Sequence, residues 1–289
     1  MAVDLHIHTK TCSDGNLPLE EVFKQAAIRT IKFISITDHD SIDCQKDAIS
    51  LANQYCISYL TGVELNVTFI YPPTQQKISL DFLGYQYDIN NKELMEKLRQ
   101  LKDYRRIRGQ KILDNLNIEL KNKGHNPLSE QELEYIQQSV DGTFGRPHIA
   151  AYLMEKGIVH NIQEAFDKYL DKCNIPKFPL SLNEASRLIR NAGGVLIHAH
   201  PNDPHGTSLV AITKDLEEQT RIIRTYMLEY IDGIECWHSR HTAETTKHYI
   251  KFCSENSLIM TGGSDCHQRP IIMGSVDIPE WVPQQFIKT

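Results

Sequence analysis

The stretch Asp4-Leu5-His6-Ile7-His8-Thr9 puts two histidines at alternating positions near the start of the chain. In a strand, residues i and i+2 point to the same side, so His6 and His8 share one face while Leu5 and Ile7 share the other. Two charged imidazoles this close would repel, but two neutral ones make a natural pair of metal ligands. Similar groups close other apolar runs. Asp14 follows in "CSDG", Asp38, His39 and Asp40 end "KFISITDHD", and Glu64 lies in "GVEL". His198 and His200 end "GVLIHAHP", and Asp265 and His267 end "LIMTGGSDCH". A buried cluster of histidine and carboxylate is costly unless positive charge neutralises it, and a divalent ion does so. One catalytic ion takes about three protein ligands. The surplus here is enough for two or three ions, with Glu64 as a bridging carboxylate. Such centres generate hydroxide at neutral pH and stabilise both oxygens of an in-line phosphoryl displacement. Mixed histidine and carboxylate ligation suits manganese, iron or zinc.

These side chains need elements that converge. Seven β-rich runs recur, at 3–8, 32–40, 57–66, 78–88, 194–201, 232–239 and 258–267. Helical patterns such as "LPLEEVFKQAAIRT" and "SLNEASRLIRNAGG" lie between several of them, the latter opening on a capping box of Ser181 and Glu184. Apolar strands alternating with amphipathic helices predict a parallel α/β architecture, a barrel or near-barrel, whose strand ends gather reactive groups on one face. Only "VTFIYPPTQQK" joins the third and fourth strands, too little for a crossover helix, so a hairpin or irregularity is expected there. Residues 90–178 carry helical patterns without strands and are expected to form an inserted cap domain, with 1–89 and 179–289 making the barrel.

The 289 residues are 40% hydrophobic and 24% charged, ordinary for a globular protein. A net charge of −6 gives no overall basic field for nucleic acid, so no stable nucleic-acid complex is expected. No apolar run is long enough to span a bilayer, and the first residues lack a secretory pattern. The seven cysteines are odd in number, scattered and never spaced as CxxC. A disulfide framework or zinc–thiolate site is therefore not expected, and a reducing, cytoplasmic location is the default. No Walker or dinucleotide motif appears, so no organic cofactor is expected.

The motifs "DLHIHTKTCSDG", "ITDHDS", "GVEL", "HAHP" and "GGSDCH", in that order and together with "FGRPHIA" and "LGY", resemble the polymerase and histidinol phosphatase (PHP) family of metal-dependent phosphoesterases. The resemblance covers nearly the whole chain. It implies a distorted seven-stranded (β/α)7 barrel holding a trinuclear site, with His6, His8, Asp14, His39, Glu64, His200, Asp265 and His267 as ligands. Four residues before Tyr85 of "LGY" the family usually carries a histidine. This chain has Asp81 there, a carboxylate expected to face the metals in its place. His198 is extra relative to the motif and is expected to be structural.

The inserted helices look like those of PHP phosphatases acting on nucleotides, nucleoside 3′,5′-bisphosphates and RNA 5′ ends, where "GRPH" supplies phosphate contacts. Arg146 offers a planar fork for phosphate oxygens and His148 a donor beside it. Arg240 is a further candidate phosphate contact. His241, on the loop after the sixth strand, is a candidate proton donor or phosphate ligand, and Asp265 a candidate catalytic group. His238 is expected to be exposed, and Arg105, Arg106 and Arg108 to form a solvated helix face. The expected reaction is hydrolysis of a small phosphorylated metabolite or oligonucleotide end by attack of metal-bound hydroxide. The alternatives are a phosphodiesterase acting on a cyclic ribose phosphate or RNA, and an inactive metal-binding regulatory module.

Overall fold

The computed structural model describes residues 2–138, 145–176 and 178–286. The chain begins with β1 (Ala2–Ile7), α1 (Leu19–Ile28), β2 (Ile31–Ile36), α2 (Gln45–Gln54) and the short β3 (Ser58–Tyr59). These strands form one parallel sheet in the order β1-β2-β3. Leu19, Val22, Phe23 and Ala26 make the buried stripe of α1, the helical spacing that packs a helix onto a sheet. With Ile31, Ile34 and Ile36 of β2 they belong to one core cluster.

The expected third strand divides. After β3 the chain enters β4 (Gly62–Tyr71), turns at Pro72–Gln75 and returns as β5 (Gln76–Tyr85). The two pair antiparallel along their whole length, from Gly62 opposite Tyr85 to Tyr71 opposite Gln76. A two-proline turn reverses the chain where a crossover helix had no room. Later come α7 (Leu182–Asn191), β6 (Val195–His198), α8 (Leu216–Tyr226), β7 (Gly233–His238), α9 (Ala243–Asn256) and β8 (Ile259–Gly263). The second sheet runs β4-β5-β6-β7-β8, antiparallel across β4-β5-β6 and parallel across β6-β7-β8. The expectation of parallel pairing thus fails at β5, whose two neighbours both run against it. The sheets meet at isolated parallel bridges, Ile7 with Cys266 and His39 with Glu64. The result is an α/β fold of two sheets and surrounding helices.

Between β5 and α7 lie α3 (Lys92–Asn122), α4 (Glu130–Gln138), α5 (Arg146–Glu155) and α6 (Ile162–Ala165), the last continued by a π-helical turn at Phe166–Leu170. The chain divides into two compact units, residues 1–98 with 179–289, and 99–178. The second has its own core, in which Ile112, Leu113, Leu116 and Leu120 of α3 join Ile149 and Leu153 of α5. Arg108 is not merely solvated. Its Nε donates to the Ile175 carbonyl at 2.5 Å and its Nη2 to Asn174 Oδ1 at 2.8 Å, tying α3 to the end of the unit.

The cysteine expectation is also corrected. Cys12, in the loop after β1, and Cys44, at the start of α2, form a disulfide across 32 residues. Spacing rules miss it because the two sit on separate loops that only the fold brings together. Among the described residues, no helix is long and apolar enough to cross a membrane.

Candidate metal centre

Strand alternation does what the first motif predicted. Leu5 and Ile7 are fully buried on one side of β1, and His6 and His8 are buried on the other with ring centroids 5.1 Å apart. Gly263 of β8 passes so close that a Cβ there would lie 2.2 Å from the His6 Cβ, so only glycine permits this approach. His200 and Asp265 follow their strands with φ of 24° and 55°, conformations that cost energy for a non-glycine residue unless the surroundings enforce them. They do. The His200 amide donates to Glu235 Oε2 at 2.8 Å, and the Asp265 amide donates to the His6 carbonyl at 2.9 Å.

Two imidazole nitrogens and two carboxylate oxygens gather at one place. His6 Nε2 and His8 Nε2 are 3.1 Å apart. Glu64 Oε2 is 3.4 and 3.1 Å from them, and Asp265 Oδ1 is 3.4 Å from both. Donors arranged tetrahedrally at about 2.0–2.1 Å from an ion stand about 3.3–3.4 Å from one another. Among the described residues, Glu64 Oε2, Asp265 Oδ1, His8 Nδ1 and His200 Nδ1 are buried without a hydrogen-bond partner. Leaving such atoms unpaired is expensive, and a divalent ion removes the cost at the carboxylate oxygens. The donor set fits the ion.

The remaining predicted ligands adjoin this point. Asp14 Oδ1 lies 3.4 Å from His267 Nε2 and 3.9 Å from His8 Nδ1, and Asp14 Oδ2 lies 3.9 Å from His39 Nε2. His39 Nδ1 reaches Glu64 Oε2 at 3.1 Å, and His200 Nε2 reaches Glu64 Oε1 at the same distance. Asp81 places an oxygen within 4.8 Å of donors from both His39 and Glu64, and its Oδ1 accepts from Asn66 Nδ2 at 2.5 Å. The structure therefore brings His6, His8, Asp14, His39, Glu64, Asp81, His200, Asp265 and His267 into one connected cluster.

The electrostatics match a site that wants positive charge. Burial opposes the charge on Glu64, yet the imidazoles of His39 and His6 and the His200 hydrogen bond hold its carboxyl well below the usual range. Burial likewise opposes charge on Asp265, where His6 and the contacts with His238 and His8 win. The histidines respond reciprocally. Against burial, Asp265 and Glu64 push His8 up to about 10, and Glu64 pushes His200 up to about 9. His39 goes the other way, lowered by burial to about 4. Without an ion, protons on the imidazoles take over the ion's neutralising role.

Two participants were not foreseen. Glu235 Oε1 lies 2.9 Å from His6 Nδ1, and its other oxygen holds the His200 amide, so one carboxylate orients two candidate ligands. His238, expected to be exposed, is buried, with Nε2 3.6 Å from Asp265 Oδ2. A spacing of three would put the two on opposite faces of a regular strand. The register shift between Glu235 and Trp237 inserts a residue and turns both inward. A bulge has no signal in "GIECWH", though an acidic residue inside an apolar strand was one.

His241 Nδ1 sits 3.1 Å from the Cys236 carbonyl, and its ring stands 5.3 Å from that of His238. Burial first and His238 second lower its pKa to about 4, leaving a neutral ring that donates from Nδ1 and presents Nε2 as an acceptor. Arg240 Nη1 donates to the buried Asp203 at 2.6 Å. His198 is packed against Phe82 with centroids 4.8 Å apart. In the second unit, Arg146 Nη1 donates to Asp171 at 3.1 Å with its guanidinium over Phe166, and His148 Nδ1 accepts from the Gly145 amide at 3.2 Å.

Residues 4–275 match the PHP domain family. The chain belongs to that family. It is 25% identical over 273 residues to a 3′,5′-nucleoside bisphosphate phosphatase of Chromobacterium violaceum, covering 92% of this chain and 87% of the relative. A 5′-3′ exoribonuclease Rnm of Salmonella typhimurium is 24% identical, with 92% and 85% covered. A phosphoribosyl 1,2-cyclic phosphate 1,2-diphosphodiesterase of Eggerthella lenta is 24% identical, with 92% and 94% covered. In fold, the chain superposes on a structure assigned as a metal-dependent phosphoesterase from Bifidobacterium adolescentis with a TM-score of 0.78, at 24% identity and covering 98% and 94% of the two chains. It is also similar to a sulfate-bound amidohydrolase structure from Chromobacterium violaceum, with a TM-score of 0.76, 25% identity and 97% and 93% covered. This PHP chain is a metal-dependent phosphoesterase, an enzyme that hydrolyses phosphoric esters.

Proposed function

We propose that this enzyme removes phosphate from nucleotides, nucleoside bisphosphates or oligonucleotide ends, using two or three divalent ions of manganese, iron or zinc. The observation that carries the reading is how the donor groups interlock. The group of His6, His8 and Glu64 shares His8 with the group of His8, Asp14, His39 and His267. It shares Glu64 with the group of His39, Glu64 and Asp81. His6, His8, Glu64 and Asp265 would hold the inner ion, and Asp14, His39 and His267 an outer one. His200 and Asp81 would hold a third together with Glu64. Bound ions would lower the pKa of a coordinated water and neutralise charge building on the phosphoryl oxygens.

The chain's own residues do the rest. Glu235 fixes the His6 ring and the His200 backbone, so these donors need little reorganisation. Asp203 holds the Arg240 guanidinium in place to meet a phosphate oxygen. His241, with Nε2 as acceptor, orients the hydroxyl or water it faces. Arg146 and His148 read phosphate from the inserted helices, residues 90–178, which act as the cap domain. The strands close as the distorted seven-stranded barrel of the family, with β3 and β4 as two halves of one strand. The relatives that carry phosphatase and exoribonuclease names support this substrate class.

The cyclic-phosphate relative covers as much of this chain as the others and supports a second reading, cleavage of a cyclic ribose phosphodiester. Manganese-loaded protein assayed on nucleoside 3′,5′-bisphosphates, mononucleotides, 5′-phosphorylated oligonucleotides and a cyclic ribose phosphate separates the two. Release of inorganic phosphate from the first three supports the phosphatase. Turnover of the cyclic ester alone overturns it.

A further inference from the structure

We propose that Cys12 and Cys44 form a thiol–disulfide exchange site that sets the affinity of the outer metal position. The two cysteines belong to the loops that supply that position. Cys12 lies between His8 and Asp14, and Cys44 follows His39 by five residues. The same loops are stitched by hydrogen bonds. Thr9 donates from its amide and hydroxyl to Asp38 at 2.7 and 2.8 Å, and the His39 amide donates to Ser13 Oγ at 3.0 Å. Ser13 Oγ in turn lies 3.0 Å from Asp14 Oδ1. The disulfide adds a covalent tie between these loops.

Its effect falls on one ion more than the others. The inner donors lie on strands or directly after them and are buried, whereas Asp14, His39 and His267 have side chains 35%, 23% and 28% exposed. Two of those three sit on the cross-linked loops. Preorganising loop ligands lowers the ordering cost of binding, so the oxidised protein holds the outer ion more tightly.

The chemistry is open to small thiols. Cys12 is half-buried and Cys44 buried, so attack comes at Cys12. A thiolate RS⁻ bonds to Cys12 Sγ, the Cys12–Cys44 bond breaks, and its electron pair leaves on Cys44 Sγ. That sulfur stands at the N-terminus of the ten-residue α2, whose dipole favours a thiolate, although the nearby Asp38 carboxylate works against it. A second RS⁻ attacks the attached RS sulfur, releasing Cys12 thiolate and RSSR. The two cysteines take up two protons. The protein gains two electrons and two thiols become one disulfide. Oxidation by RSSR is the reverse.

The proposal rests on these residues being metal ligands, and its test reads metal rather than turnover. Purified full-length protein is equilibrated in buffers of reduced and oxidised glutathione. Free thiols are alkylated and counted by intact mass, and bound manganese is measured by equilibrium dialysis. The expected result is two additional alkylations on reduction, with manganese affinity at the weakest position lowered about tenfold or more. The Cys12→Ser/Cys44→Ser variant should bind like the reduced protein at every glutathione ratio, which also controls for metal binding by glutathione. Equal manganese binding in both states of the wild type, or no change in alkylation count, overturns the proposal whether or not the variant folds. No manganese binding in either state overturns the metal-centre reading as well.

Discussion

His6 and Glu235 are 229 positions apart in sequence, and their side chains meet at 2.9 Å beneath the donor cluster. The contact leaves Nε2, the nitrogen turned to His8 and the carboxylates, as the acceptor, because a ring that donates from Nδ1 keeps Nε2 free to accept. Glu235→Gln keeps the shape and removes the charge. It should lower manganese affinity about ten- to a hundredfold, the usual cost of losing a carboxylate behind a ligating histidine. Titration of stripped protein with manganese checks this, and unchanged affinity would remove Glu235 from the centre.

Asp81 is expected to serve the third ion position, together with His200 and Glu64. Asp81→Asn keeps an oxygen that can accept from Asn66 but loses the negative charge. Metal content should fall by one equivalent per chain while the inner position stays filled, and Asp81→His should restore it. Elemental analysis of both variants decides. An Asp81→Asn protein with full metal content would make this residue a structural partner of Asn66.

Arg146→Ala tests the proposed phosphate contact of the inserted helices. Losing a charge-assisted contact to phosphate costs about 1.5–3 kcal/mol, so kcat/KM should fall about ten- to a hundredfold with metal content unchanged. The competing effect is small. The Arg146–Asp171 pair is partly solvated, 26% and 62% exposed, and such a pair contributes about 0–1 kcal/mol to stability. Asp171→Asn should therefore leave kcat/KM nearly intact. Equal losses in both variants would make Arg146 a structural residue.

The metal-free protein should lose stability as pH rises from about 7 to about 9. His8 and His200 are raised from 6.5 to about 10 and about 9. Groups raised on folding stabilise fully below their ordinary value, and that contribution disappears as pH climbs through the folded value. Metal binding has the opposite sign, since ligating imidazoles must be neutral. The difference in Tm between manganese-loaded and chelated protein should therefore widen over this range. A difference that narrows with pH would contradict the electrostatic account.

Much of the site was legible because a strand alternates its side chains. His6 and His8 had to share a face, and carboxylates closing apolar runs had to find a cation or pay heavily for burial. The hairpin of β4 and β5 was half legible, because eleven residues between runs leave no room for a crossover. Other features depend on contacts made late in folding. The burial of His238 was not legible, because its inward turn needs the bulge in β7, a departure from period two that local sequence does not encode. Glu235 gained its role only when β1 came beside β8, which brings His6 within reach of β7.

The same division separates the two pairings of cysteine and histidine in the first loops. Sequence alone determined which histidines and carboxylates could ligate a metal, their order and their places near strand ends, since these follow from local periodicity and the cost of buried charge. Only the tertiary structure decided that Cys12 meets Cys44, that Gly263 lets β8 approach His6, and that His200 and Asp265 adopt left-handed backbone. Each joins segments far apart in the chain, and the packing that enforces them arises only when the sheets meet.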